Sequence, residues 1–124
     1  KAGKILLAED SDFFRNQVKN FIQEEGYAVL AAPDGLKAWK LLEKHPDEIT
    51  LVVTDIEMPN MDGFELAGRI RKDARFAGLP IIAVTSLASE KDMARGRDAG
   101  ISDYQVKLDR EKLMASVRQF LDGE

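Results

Sequence analysis

The chain has 124 residues, 44% of them apolar without counting glycine, which suffices for one domain with a single buried core. Its 18 basic and 22 acidic side chains leave a net charge of −4, so no long-range attraction draws it to nucleic acid or anionic membrane. With no cysteine there is neither a disulfide framework nor a thiolate metal site, and no apolar run approaches the roughly 20 residues that span a bilayer. The expectation is one domain over residues 1–124, in the cytoplasm, touching neither nucleic acid nor membrane directly. The N-terminus has no signal-peptide pattern and no initiator Met, which suggests that Lys1 begins an excised piece of a longer parent.

In chain order, a first apolar run from Ile5 to Ala8 reads as a strand. Ser11 then stands as an N-cap before a helical stripe of Phe14, Val18, Phe21 and Ile22, which Gly26 stops. A second strand from Ala28 to Ala32 leads through Asp34 to a helix with Ala38, Leu41 and Leu42 inward, Trp39 partly so. His45 precedes Pro46, which favours an extended or turn conformation there. A third strand runs from Leu51 to Thr54. Phe64, Ala67 and Ile70 supply a third helix, stopped at Gly78, and Pro80 opens a fourth strand from Ile81 to Thr85. The stretch from Ser89 to Ala99 is mostly charged and contains Gly96, so it is expected to be a loosely held, mobile helix ending at Gly100. A fifth strand from Tyr104 to Val106 and a last helix follow, with Asp109 as N-cap and Leu113, Val117, Phe120 and Leu121 inward.

The strand runs lack strict alternation, as suits strands buried on both faces of a parallel sheet. Five strand–helix units predict an α/β fold with right-handed crossovers, a doubly wound five-stranded parallel sheet of flavodoxin-like order 2-1-3-4-5. In that order strands 1 and 3 are neighbours, and the crevice at their carboxyl ends is where ligands bind.

Glu9 and Asp10 follow the first strand and Asp55 ends the third, so the predicted order brings three carboxylates into that crevice. Singly, each acid fits a solvated loop or a helix cap equally well. Together they repel, and a hard divalent cation such as Mg²⁺ resolves the conflict. Thr85 and Lys107 close the fourth and fifth strands on the same edge, offering a hydroxyl donor and an ammonium to a phosphoryl group.

These pieces resemble the receiver domains of bacterial two-component response regulators: Glu9-Asp10, the segment from Asp55 to Gly63 with Met58-Pro59 and Asp62-Gly63, the strand ending at Thr85, and Asp103-Tyr104-Gln105-Val106-Lys107. The resemblance covers essentially the whole chain. It implies that Asp55 is a phosphoacceptor for a partner histidine kinase's phosphohistidine, and that Mg²⁺ is held by Glu9, Asp10, Asp55 and the backbone carbonyl of Glu57. It further implies that Lys107 and Thr85 contact the phosphoryl group. Thr85 and Tyr104 would then form a switch that carries the change to a downstream protein at the fourth helix, fifth strand and fifth helix. Read without the resemblance, Tyr104 is a strand-end aromatic with a wet hydroxyl.

In most relatives Pro follows the conserved Lys, but here Leu108 follows Lys107, leaving the state of that bond open. Glu57 and Leu87 occupy places that tune water access in the family. The segments Lys107-Leu108-Asp109-Arg110, Phe13-Phe14-Arg15 and Ser86-Leu87-Ala88-Ser89 resemble receivers fused to chemotaxis-type hybrid histidine kinases, which suggests such a parent. On this expectation the domain catalyses its own phosphorylation and dephosphorylation, whereas the kinase activity belongs to the parent. The competing readings are a constitutive interaction module with an unused pocket and a phosphate sink within a hybrid kinase. A nucleotide- or flavin-binding enzyme would need a phosphate-binding loop after the first strand, where acidic Glu9-Asp10-Ser11-Asp12 stands instead.

Overall fold

The computed structural model describes residues 3–86, 89–107 and 109–123. Its elements alternate as β1 (Lys4–Ala8), α1 (Asp12–Glu24), β2 (Ala28–Ala32), α2 (Gly35–Lys44), β3 (Ile49–Asp55), α3 (Gly63–Lys72), β4 (Ile81–Thr85), α4 (Glu90–Ala99), β5 (Asp103–Val106) and α5 (Arg110–Asp122). All strand pairings are parallel, in the order β2-β1-β3-β4-β5. The doubly wound order expected from the strand–helix alternation is therefore the observed one.

The sheet divides the core in two, because alternate residues of a strand point to opposite faces. Leu6, Ala8, Val52 and Ala83 meet Ala38, Leu42, Leu66 and Ile70 of α2 and α3. Ile5, Leu7, Leu51, Val53, Ile82 and Val84 meet Val18 and Ile22 of α1 and Leu113 and Val117 of α5. Burial on both faces holds for β1, β3 and β4. It fails at the sheet edges, where Ala28 of β2 and Val106 of β5 are exposed.

Each helix starts on a side-chain oxygen that accepts a backbone N–H three residues on. Ser11 accepts from Phe14, Asp34 from Lys37 and Asp109 from Lys112, and Asp62 and Ser89 do the same for Glu65 and Asp92. Each such cap contributes about 1 kcal/mol. Gly26 and Gly100 end their helices with φ of +95°, as their positions suggested.

Several expectations need correction. α3 stops at Lys72 rather than at Gly78, because Asp73 turns extended and caps a short 3₁₀ turn over Ala74–Phe76. Phe120 of α5 is exposed, and Phe14 and Phe21 of α1 are only partly buried. Trp39 is more than partial core: it is buried, edge-on to Phe76, with the Arg69 guanidinium over its ring. α4 is a helix, and Gly96 is its only fully buried residue. Leu87 and the Lys107–Leu108 bond lie outside the described residues.

Candidate functional site

Strand ends deliver the site. Consecutive crossovers leave β1 and β3 towards opposite edges of the sheet, which opens a crevice between their carboxyl ends. Glu9 follows β1 and is fully buried; its N–H donates to Ala32 and fixes it at the end of the ladder. Its Oε2 accepts from the Ser11 N–H at 3.0 Å, and its Oε1 lies 2.7 Å from Lys107 Nζ. Asp55 closes β3, also buried, with Oδ1 accepting from the Ile56 N–H at 2.8 Å and Oδ2 from Lys107 Nζ at 3.2 Å. Asp10 is exposed at the mouth. One oxygen from each of Glu9, Asp10 and Asp55 lies within 4.8 Å of the others. Asp10, Asp55, Glu57, Thr85, Asp92 and Lys107 share the walls of a cavity of about 480 Å³.

The loop after Asp55 is shaped to bring a helix close behind it. The Gly63 N–H donates to Ile56 O at 2.8 Å, and a side chain at Gly63 would stand 2.3 Å from the carbonyl oxygen of Asp55. Asn60 sits in the left-handed region at φ 68°, which Asn tolerates better than most residues. Its side-chain amide donates to Asp34 Oδ2 at 3.0 Å, and the Gly35 N–H donates to Met61 O. The α2 N-terminus and the β3–α3 loop are thus tied together. Burial pushes the Asp34 carboxyl up, but the Lys37 N–H, the Asn60 amide and the Lys37 charge outweigh it and hold the group below the usual range.

Electrostatics in the crevice are unbalanced. Burial, then the negative charge of Glu9, pushes Asp55 up to about 7 against the opposing pull of Lys107 and the Ile56 N–H. For Lys107 burial disfavours the charge, yet its contacts with Glu9 and Asp55 prevail and hold it above the ordinary lysine value. One ammonium faces three carboxylates, and every donor is a hard oxygen. That set fits a divalent cation of the Mg²⁺ type.

Thr85 is half-buried between this cavity and a second of about 370 Å³ that it shares with Glu57, Phe64, Asp92, Arg95 and Tyr104. The Tyr104 hydroxyl is not wet: it is buried, without a hydrogen-bond partner among the described residues. Burial, then the nearby Asp92, raises its pKa, with Arg95 opposing. Gly96 explains the inward pose, since a side chain there would come within 2.4 Å of the Tyr104 ring.

Of the residues singled out in the sequence, Glu9, Asp10, Asp55, Glu57, Thr85, Tyr104 and Lys107 lie in or beside these two cavities. Three features escaped sequence reasoning. The Phe14 ring lies under the Lys107 ammonium at 4.7 Å, Asp92 borders both cavities, and Asp34 reaches Asn60. Phe14 shares the helical spacing of true core residues, and only its place in the first turn after the acidic pair hinted otherwise.

The family model for the response regulator receiver domain matches residues 5–118. The chain belongs to this family. Among curated relatives, this receiver is 31% identical over 128 residues to chemotaxis protein CheV3 of Helicobacter pylori, which covers 97% of the chain but 41% of CheV3. It is 36% identical over 105 residues to chemotaxis protein CheY1 of the same species, covering 84% of each. Among solved structures, chemotaxis protein CheY4 of Vibrio cholerae superposes with a TM-score of 0.89 at 28% identity, over 98% of this receiver and all of that chain. The receiver spans well under two thirds of CheV3, and no helix among its described residues is long and apolar enough to cross a membrane.

Proposed function

We propose that this receiver accepts a phosphoryl group on Asp55 from the phosphohistidine of a partner histidine kinase, in a two-component phosphorelay. The observation that carries the reading is Asp55 itself: a buried carboxylate at the sheet's switch point, with Lys107 Nζ at 3.2 Å and two further acids within 4.8 Å, in a chain of the receiver family.

In the transfer, a carboxylate oxygen of Asp55 attacks phosphorus while the donor's P–N bond breaks. The electron pair returns to the imidazole nitrogen, which takes up a proton. Lys107 already spans Glu9 and Asp55, so a small movement of its ammonium places it on an incoming phosphoryl oxygen. The Thr85 hydroxyl, on the cavity wall, donates to another. Glu9, Asp10, Asp55 and the carbonyl of Glu57 would hold Mg²⁺, which when bound supplies positive charge to the transferring group. Exposed Glu57 stands at the cavity entrance, where its side chain tunes water access.

Thr85 and Tyr104 line one cavity, and Tyr104 packs on Gly96 of α4. Movement of Thr85 towards the phosphoryl group would change the room available to Tyr104 and so the face made by α4, β5 and α5, where a downstream protein docks. Val106, an apolar side chain 48% exposed on the edge strand β5, lies on that face. The domain comprises residues 1–124 and works in the cytoplasm.

Treatment with acetyl phosphate and Mg²⁺, followed by intact mass, tests the reading. One added phosphoryl group that vanishes in Asp55→Asn is expected. An unmodified parent overturns it in favour of a constitutive interaction module, and an adduct that persists in Asp55→Asn overturns the assignment of Asp55 as acceptor.

A further inference from the structure

We propose that Phe14 is a positioning residue for Lys107, its ring holding the ammonium aimed at Asp55 while the anions around it change. This rests on the reading of Asp55 as phosphoacceptor.

Phe14 belongs by spacing to the apolar stripe of α1, yet it joins neither core cluster, whereas Val18 and Ile22 of the same stripe are buried. Its ring instead lies 4.7 Å below Lys107 Nζ. Its place in the first turn of α1 sets that position. Its N–H donates to Ser11 Oγ, and the exposed Phe13 ring stands edge-on to it at 5.4 Å. Lys107 has a side chain only 9% exposed, and a cation over an aromatic face gains most where water is excluded.

The ammonium has three N–H groups. Glu9 Oε1 at 2.7 Å and Asp55 Oδ2 at 3.2 Å lie close to it, and the Phe14 ring centroid is 4.7 Å away. Both carboxylates are unreliable guides during the reaction. Each belongs to the set that fits a divalent cation, and Asp55 is consumed as its acyl phosphate forms. A neutral ring attracts Lys107 without competing for the cation or for the phosphoryl oxygens. The neighbouring cation, Arg15, is engaged elsewhere, with the Glu9 carbonyl and with Asp12.

The test replaces Phe14 in the full chain by cyclohexylalanine, which keeps the shape and removes the π face, and by pentafluorophenylalanine, which reverses the ring quadrupole. Phe14→Tyr serves as the conservative control. With Mg²⁺ saturating, acetyl phosphate should label Asp55 about 3- to 30-fold more slowly in both replacements, and at close to the parental rate in Phe14→Tyr. Thermal midpoints should stay near that of the parent. In carbon–proton spectra the Lys107 ε-methylene should lie upfield of free lysine in the parent and return to it in the cyclohexylalanine protein. A parental labelling rate with cyclohexylalanine, or an unshifted ε-methylene in the parent, overturns the assignment. If no protein is labelled at Asp55, the phosphoacceptor reading fails separately, and the ring-current shift still decides whether Phe14 holds Lys107.

Discussion

Lys107 and Glu9 form a 2.7 Å ion pair in which the carboxylate is fully buried and the lysine side chain nearly so. Such pairs add little net stability over an apolar isostere, but loss of one partner strands a buried charge. Lys107→Met should therefore lower the unfolding free energy by about 3 kcal/mol in EDTA at neutral pH. Added Mg²⁺ should restore part of the loss, since binding to the native state alone stabilises it. Urea titrations with and without Mg²⁺ measure both effects, and equal midpoints in parent and variant without the cation would contradict the pairing.

Asp55 is raised to about 7 from an ordinary 3.8, so between those values the metal-free native state holds a proton that the unfolded chain has lost. Stability must then fall as pH rises through that window and level off above it. Asp55→Asn lacks the ionisation. Its advantage over the parent should be small near pH 4 and widen steadily until it levels off above about pH 7 in EDTA. Parallel thermal melts across pH check this, and a constant gap would show that Asp55 ionises normally.

Gly96 lies inside α4, where Ala would ordinarily be favoured by about 1 kcal/mol. A Cβ there collides with the Tyr104 ring at 2.4 Å, so Gly96→Ala should gain no stability and should push the ring outwards. The released hydroxyl would titrate lower, towards the ordinary tyrosine value, because burial is the largest cause of its rise. Tyrosine ring-carbon NMR follows this residue apart from Tyr27.

Asp34 caps α2 through Lys37 and holds Asn60 in the loop that carries Glu57. Asp34→Ala should cost about 1–2 kcal/mol from the cap alone. Because the carboxyl is held below its usual range, its contribution is present at neutral pH and is lost as pH falls through its folded value. On the proposed ligand set, the variant should also bind Mg²⁺ more weakly than an equally destabilised core variant, since the loop that carries Glu57 loses its anchor. Calorimetric titration of the two compares them directly.

Much of the fold was readable because its signals are local. Apolar runs marked all five strands, and Ser11, Asp34 and Asp109 marked helix starts through bonds spanning three residues. The strand order then followed from connection rules, and with it the meeting of Glu9, Asp55, Thr85 and Lys107 at one edge. What the chain's order of residues could not reveal depends on distances between elements remote in sequence. Lys107 choosing Glu9 as well as Asp55, Phe14 turning from the core to that ammonium, and Tyr104 filling the hollow left by Gly96 are through-space outcomes. Residue types alone would equally have allowed a solvated lysine, a buried phenylalanine and a wet tyrosine. Packing settled each, because in a desolvated crevice a charge takes whichever partner lies within about 3–5 Å.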